Sequence, residues 1–186
     1  LRSLVGSEMC IRDSVRIEEG QIYGFLGPNG AGKSTTMNMI TGYLAPTAGT
    51  VKVDGFDIVK EPEKAKEHIG YLPEIPPLYS EMTVEEYLKF AAELKRIPGK
   101  ERAAQIEKAI KTAQLEDVRK RLINNLSKGY KQRVGLAQAV LGDPETIILD
   151  EPTAVLTPQE TEELFEKLLD PVSYTHLRAH ETPEHL

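Results

Sequence analysis

Short continuous apolar runs alternate along this chain with stretches in which apolar residues recur every three or four positions, and that alternation predicts an α/β fold. Ile22 to Leu26 (IYGFL) reads as a parallel strand buried on both faces that feeds a glycine loop. Thr35 to Tyr43 follows with Met37, Ile40 and Leu44 at helical spacing. Thr50 to Ile58 (TVKVDGFDI) alternates around Asp54-Gly55, which predicts a hairpin on a small peripheral sheet. His68 to Leu72 is a further strand, closed by the proline-rich stretch PEIPPLY. From Thr83 the period becomes helical, with Thr83 and Glu86 as a capping box and Val84, Tyr87, Leu88, Ala91 and Leu94 on one face. Ile97-Pro98-Gly99 breaks this helix, a second covers roughly Glu101 to Gln114, and a third runs from Ser127 through Val140. Gly142 to Pro144 ends the third, and Thr146 to Asp150 (TIILD) is another buried strand.

Composition narrows the class. With 186 residues, 40 % of them hydrophobic and 28 % charged, the chain has room for one ordinary domain. A net charge of -6 without a basic cluster argues against nucleic acid as a partner. No apolar run approaches the roughly 20 residues that cross a bilayer, so a soluble, cytoplasmic domain is expected. The single cysteine and four scattered histidines show no metal-ligand spacing.

The two ends read differently from the rest. Ser3 to Ser14 (SLVGSEMCIRDS) and Val172 to Thr182 (VSYTHLRAHET) carry neither helical nor strand periodicity. With one choice of codons, the reverse complement of the DNA encoding Ser3 to Ser14 translates without mismatch as Val172 to Thr182. The two strings resemble a transposon-end sequencing adapter read forward at one end and backward at the other. Residues 1–14 and 171–186 are therefore expected to be foreign and to stand outside the fold. That expectation leaves 15–170 as one incomplete domain with a helical subdomain over about 80–142, and it removes Cys10, His176, His180 and His185 from functional argument.

Gly27 to Ser34 (GPNGAGKS) matches G-x-x-x-x-G-K-[ST] between a predicted strand and a predicted helix, the context that a phosphate-binding P-loop demands. Gly27, Pro28, Asn29, Gly30, Ala31 and Gly32 would turn backbone N–H groups toward phosphate oxygens, helped by the helix dipole. Lys33 would reach the β and γ phosphates, the Ser34 hydroxyl would ligate Mg²⁺, and Thr35 would extend the cradle. The strand Ile147 to Leu149 ends at Asp150-Glu151, the pattern in which one carboxylate holds the Mg²⁺ shell and the next polarises an attacking water. Together these predict an Mg-ATP site with Lys33 and Glu151 in catalytic roles. A guanine-reading N-K-x-D stretch is absent from the sequence.

Leu126 to Arg133 (LSKGYKQR) stands before the third helix, and with it the chain resembles the ABC ATPases, whose signature motif reads LSGGQ. The resemblance spans nearly all of Val15 to Asp170. It implies a P-loop NTPase (RecA-like) core with an inserted helical signature subdomain and a small, partial antiparallel β subdomain. It also implies that Ser127 and Gly129 bind the γ-phosphate of ATP held by a second subunit in a head-to-tail dimer. Lys128 and Tyr130 depart from the family motif. The family's Q-loop corresponds to IGYLPE, placing Glu74 where a glutamine contacts Mg²⁺ or water; this variant, with PPLYSEMTVEEYL, looks like the ABC-2 type exporter subgroup. Glu74 is thus a candidate metal-shell and catalytic residue beside Ser34 and Asp150. The D-loop reads EPTAVLTP, with Val155 for the family's glycine and Thr157 for its aspartate. The adenine-stacking aromatic, expected upstream of Val15, and the switch histidine, expected beyond Asp170, have no counterpart here.

The implied function is an ATP-hydrolysing subunit that drives transport through separate transmembrane permease subunits, peripheral on the inner face of the membrane; this chain, without the adenine-stacking aromatic and the switch histidine, is expected to turn over little or no ATP by itself. Two alternatives stay open: a non-transport ABC ATPase acting in DNA repair or translation, and a nucleotide-binding module without turnover.

Overall fold

The computed structural model describes residues 14–18, 20–28 and 30–150, together with the backbone of residues 175–181. Strand β1 (Ile22–Gly27) leads through the glycine loop into helix α1 (Lys33–Ile40), the predicted strand–loop–helix order. β2 (Lys52–Val53) and β3 (Phe56–Asp57) form the expected antiparallel hairpin. Its turn residues Asp54 (φ 48°) and Gly55 (φ 81°) both take the left-handed region that a two-residue I′ connection requires. Helix α2 (Pro62–Glu67) precedes β4 (Ile69–Leu72). The periodicity had not revealed α2, because a six-residue helix with Ala65 as its one buried side chain shows no apolar stripe; Pro62 in its first turn was the available signal.

The insert comprises α3 (Val84–Leu94), α4 (Gly99–Thr112) and α5 (Lys128–Val140). Thr83 accepts from the Glu86 amide while the Glu86 carboxylate accepts from the Thr83 N–H, so the predicted capping box is formed. Val84, Tyr87, Leu88 and Ala91 are buried as their spacing requires, whereas Leu94 from the same stripe is 67 % exposed. The amides of Val84 and Glu85 donate to the carbonyls of Arg121 and Arg119, and those of Ile123 and Asn124 to Met82 and Ser80, which fixes the approach to α5 against the start of α3.

β5 (Thr146–Asp150) lies beside β4 in parallel register, Leu72 opposite Leu149. The main sheet has the order β1-β6-β5-β4, all parallel, where β6 is Thr175–Glu181. Residues 175–181 belong to the segment set aside from the sequence for lack of periodicity, and they form a strand although their side chains carry no strand pattern. Buried parallel strands normally announce themselves by a continuous apolar run, and THLRAHE has none. What places it is backbone pairing: β1 and β5 each present a free edge to the same gap, and any extended segment lying there satisfies both rows of N–H and C=O groups.

The two faces of the sheet feed two cores. Ile147 and Leu149 of β5 and Leu72 of β4 join the buried residues of α3, α4 and α5. Ile148 and Ile69 face the other way, with Met37 of α1, Ala65 of α2 and Val53 of the hairpin. Each fully buried Leu or Ile contributes roughly 1.5–3 kcal/mol, so the central strand is anchored to both layers at once. Gly70 of β4 permits this closeness, since a β-carbon there would collide with the carbonyl of Ala139 on α5.

Candidate nucleotide-binding site

Because the main sheet is parallel, β1, β4 and β5 all end at one edge, and the segments carrying the candidate residues leave from that edge together. β1 ends at Gly27 and opens the phosphate loop; β4 ends at Leu72, two residues before Glu74; β5 ends at Asp150.

Within the loop, Gly30 (φ 79°) and Gly32 (φ 86°) hold left-handed backbone that a side chain would strain. Gly32 is the N-cap of α1, which has neither a side-chain cap nor an acidic residue in its first turn, so the N–H groups of that turn and the positive end of the dipole are left for an anion. Ser34 and Thr35, in that turn, are exposed. Lys33 is buried, and its ammonium donates to the carbonyl oxygens of Gly27 (2.6 Å) and Pro28 (3.1 Å), tying the loop across its own mouth. Those two neutral acceptors are ones that a phosphate, a charged partner, would outcompete.

Asp150 is 7 % exposed, and its carboxyl is pushed above the usual range by burial first and then by the negative charge of Glu74, against the opposing pull of Lys33. Three residues far apart in sequence therefore share one electrostatic site. Two carboxylates facing one ammonium in a partly desolvated corner are short of positive charge, and a divalent cation beside Ser34, Asp150 and Glu74 would supply it. The residues present thus fit Mg²⁺. Tyr71 stands on the same face of β4, and its phenol is pushed up to about 12 by burial and then by the Asp150 charge, so it remains a neutral neighbour of that carboxylate. In the sequence Tyr71 reads simply as a strand aromatic.

Ser127 caps α5, accepting from the Tyr130 amide at 3.3 Å. It is exposed, and Gly129 is partly buried in the first turn. Glu74 reaches toward this end too: a cavity of about 230 Å³ is lined by Glu74, Pro76, Ser80, Asn124, Lys128 and Gln132. Tyr130, which departs from the family motif, is held sideways by its hydroxyl donating to Asp117 (2.9 Å) and by Arg133 against its ring. Asn29, Glu151, Val155 and Thr157 lie outside the described residues. Among the described residues, no helix is long and apolar enough to cross a membrane.

Comparison with known proteins agrees with this geometry. The family model described as ABC transporter matches residues 12–154. The ABC transporter ATP-binding protein NatA of Bacillus subtilis is 41 % identical over 149 residues, 79 % of this chain and 61 % of that protein. Among solved structures, cbiO1 from Clostridium perfringens, part of the ABC transporter complex cbiONQ, superposes with a TM-score of 0.78 at 30 % identity, covering 90 % of this chain and 70 % of the other. The ATP-binding cassette MJ0796, in a dimeric post-hydrolysis state bound to ADP and Pi, gives a TM-score of 0.78 at 27 % identity over 89 % of this chain and 77 % of its own. The chain spans less than two thirds of the length of curated relatives such as NatA. A phosphate loop, a buried carboxylate at the end of β5 and a capped signature helix, on a parallel sheet matched over most of its length by ATP-binding cassettes, place this chain in the ABC transporter family.

Proposed function

We propose that this chain binds Mg-ATP in the phosphate loop and, paired head to tail with a second ATP-binding subunit, hydrolyses it to drive transport through separate membrane subunits at the inner face of the membrane. The convergence of Lys33, Asp150 and Glu74 at the carboxyl edge of the sheet carries the reading. In it, Gly27 to Thr35 wrap the phosphates, while Ser34, Asp150 and Glu74 hold the Mg²⁺ shell, whose role when bound is to neutralise charge on the transferring phosphoryl group. Glu151 accepts a proton from the attacking water. Ser127 and Gly129 offer the N-terminus of α5 to the γ-phosphate of the partner's ATP, a contact suited to an exposed helix start without acidic residues in its first turn.

A groove of about 500 Å³ supports the membrane-subunit partner. Pro77, Leu78, Tyr79, Phe90 and Leu94 line it. Tyr79 and Leu94 are 56 % and 67 % exposed, and Ile75, beside Glu74, is 77 % exposed. An apolar cluster of that kind, on a chain otherwise rich in charge, fits an apolar helix from another subunit.

The reading is tested by sedimentation with Mg-ATP and by phosphate release. Glu151→Gln should accumulate a nucleotide-bound dimer while turnover falls by at least about 10²-fold, the scale of general-base catalysis. A Glu151→Gln protein that stays monomeric at saturating ATP would remove the dimeric part of the proposal, and failure of the unsubstituted chain to bind Mg-ATP would remove all of it.

A further inference from the structure

The groove is more than an apolar depression, because one buried hydroxyl stands where its three walls meet. The first wall is the loop after β4, residues 73–80, which carries Glu74. The second is α3 and the third is α5, whose N-cap is Ser127. The loop is seated on α5 by Pro76, packed against Gly135 so tightly that a β-carbon there would lie 2.6 Å from the proline ring. It is seated on α3 by Tyr79, whose ring meets Tyr87 at 6.2 Å and Phe90 edge-on at 5.3 Å. The remaining side of the triangle is closed by the Tyr87 hydroxyl, which donates to Gln138 Oε1 of α5 at 2.5 Å and lies 3.5 Å from the carbonyl of Pro77 in the loop.

We propose that Tyr87 is a positioning residue for ATP turnover: by bonding α3 to Gln138 of α5, the two helices on which the loop is seated, it makes the Glu74 loop and the Ser127 helix move as one body. The proposal rests on the ATP-hydrolysing reading above. Its physical basis is that Glu74 and Ser127 must each arrive correctly placed at a γ-phosphate, from opposite ends of one rigid assembly. A 1 Å misplacement of such groups costs about 10²-fold in rate. Pro76 and Tyr79 seat the loop on α5 and on α3 separately, and apolar contacts, which are not directional, do not by themselves fix the two helices against each other. The hydrogen bond from Tyr87, a side chain only 3 % exposed, to Gln138 fastens α3 to α5 and so holds together the two surfaces on which Tyr79 and Pro76 seat the loop. Burial pushes the Tyr87 hydroxyl up to about 12, so it stays a proton donor throughout the neutral range.

The test uses Tyr87→Phe, which keeps the ring and removes only the hydroxyl, with Gln138→Leu and the double variant. Amide hydrogen exchange in the unsubstituted and variant chains should rise roughly five- to tenfold both in residues 73–80 and in 127–131, with α2 and the β2–β3 hairpin unchanged. The double variant should exchange no faster than either single one, because the two side chains form one bond. In phosphate-release assays kcat per ATP-binding molecule, with the folded fraction titrated by nucleotide binding, should fall about tenfold or more while KM for ATP stays within twofold; loss of folded protein would instead lower the titrated fraction and leave this kcat unchanged. Exchange that rises in only one of the two segments, additive single effects, or unchanged kcat in Tyr87→Phe would each overturn the proposal. If the unsubstituted chain binds no Mg-ATP, the ATPase reading fails, and the exchange result still decides whether the two segments are latched.

Discussion

Pro76 rests on Gly135 in the middle of α5, and a β-carbon at position 135 would come within 2.6 Å of the proline Cγ and 2.8 Å of Leu72 Cδ1. A glycine inside a helix costs about 1 kcal/mol relative to alanine, so the contact explains why the chain accepts it. Gly135→Ala therefore sets a propensity gain of about 1 kcal/mol against an overpacking cost of roughly 1–3 kcal/mol. We expect net destabilisation of about 1 kcal/mol in denaturant unfolding, with displacement of the loop that carries Glu74. Gly70→Ala should cost more, because its β-carbon meets the backbone of Ala139, which yields less than a side chain. Stability equal to or above the parent in Gly135→Ala would show that the loop gives way freely.

Lys33→Ala should weaken Mg-ATP binding by roughly 10- to 150-fold, corresponding to the 1.5–3 kcal/mol of hydrogen bonds to a charged partner. Unfolding stability should fall by less than this, because the bonds lost in the free protein go only to the two loop carbonyls of Gly27 and Pro28. Titration calorimetry read beside a denaturation curve separates the two effects.

Ser127 has a structural task as N-cap and a proposed one at the partner's phosphate, and the two respond differently to substitution. Ser127→Ala should lose about 1 kcal/mol of stability with the cap. Ser127→Asp keeps a capping oxygen and suits the helix dipole, so stability should stay within roughly 0.5 kcal/mol. Its negative charge would nonetheless oppose a γ-phosphate, so ATP-driven dimerisation should disappear. Normal dimerisation of Ser127→Asp would confine the residue to capping.

Lys95 donates to the carbonyls of Leu141 (2.6 Å) and Ala139 (3.3 Å), closing the C-terminus of α5 from the groove wall. Lys95 as a whole is exposed, yet desolvation of its ammonium against these carbonyls pulls its pKa down to about 8. The unfolded chain holds this proton up to about pH 10.4. Between these values the unfolded state binds more protons, so stability should rise with pH from about 8 toward 10 and be flat below 8. The exposure of the residue limits the gain to less than roughly 1 kcal/mol. Comparison with Lys95→Met below pH 10 isolates the effect, since Tyr71 and Tyr87, both pushed up to about 12, lower stability as pH rises beyond 10. A Lys95→Met protein with the same slope between pH 8 and 9.5 would assign it to another group.

The local elements were legible in the sequence where short-range physics fixes them. The hairpin follows from Asp54-Gly55, the start of α3 from Thr83 and Glu86, and the phosphate loop from glycines whose positive φ the structure displays at Gly30 and Gly32. Asp150 too was legible, as the polar end of an apolar strand. Tertiary structure decided the rest, because the deciding contacts join residues with no shared local pattern. That Glu74 raises the Asp150 carboxyl depends on β4 and β5 being parallel neighbours ending at one edge. The bond between Tyr87 and Gln138 spans 51 positions, and neither residue breaks the helical stripe it sits in. The strand at 175–181 is the clearest case: side-chain pattern cannot announce a strand whose place is set by backbone hydrogen bonds offered from both sides.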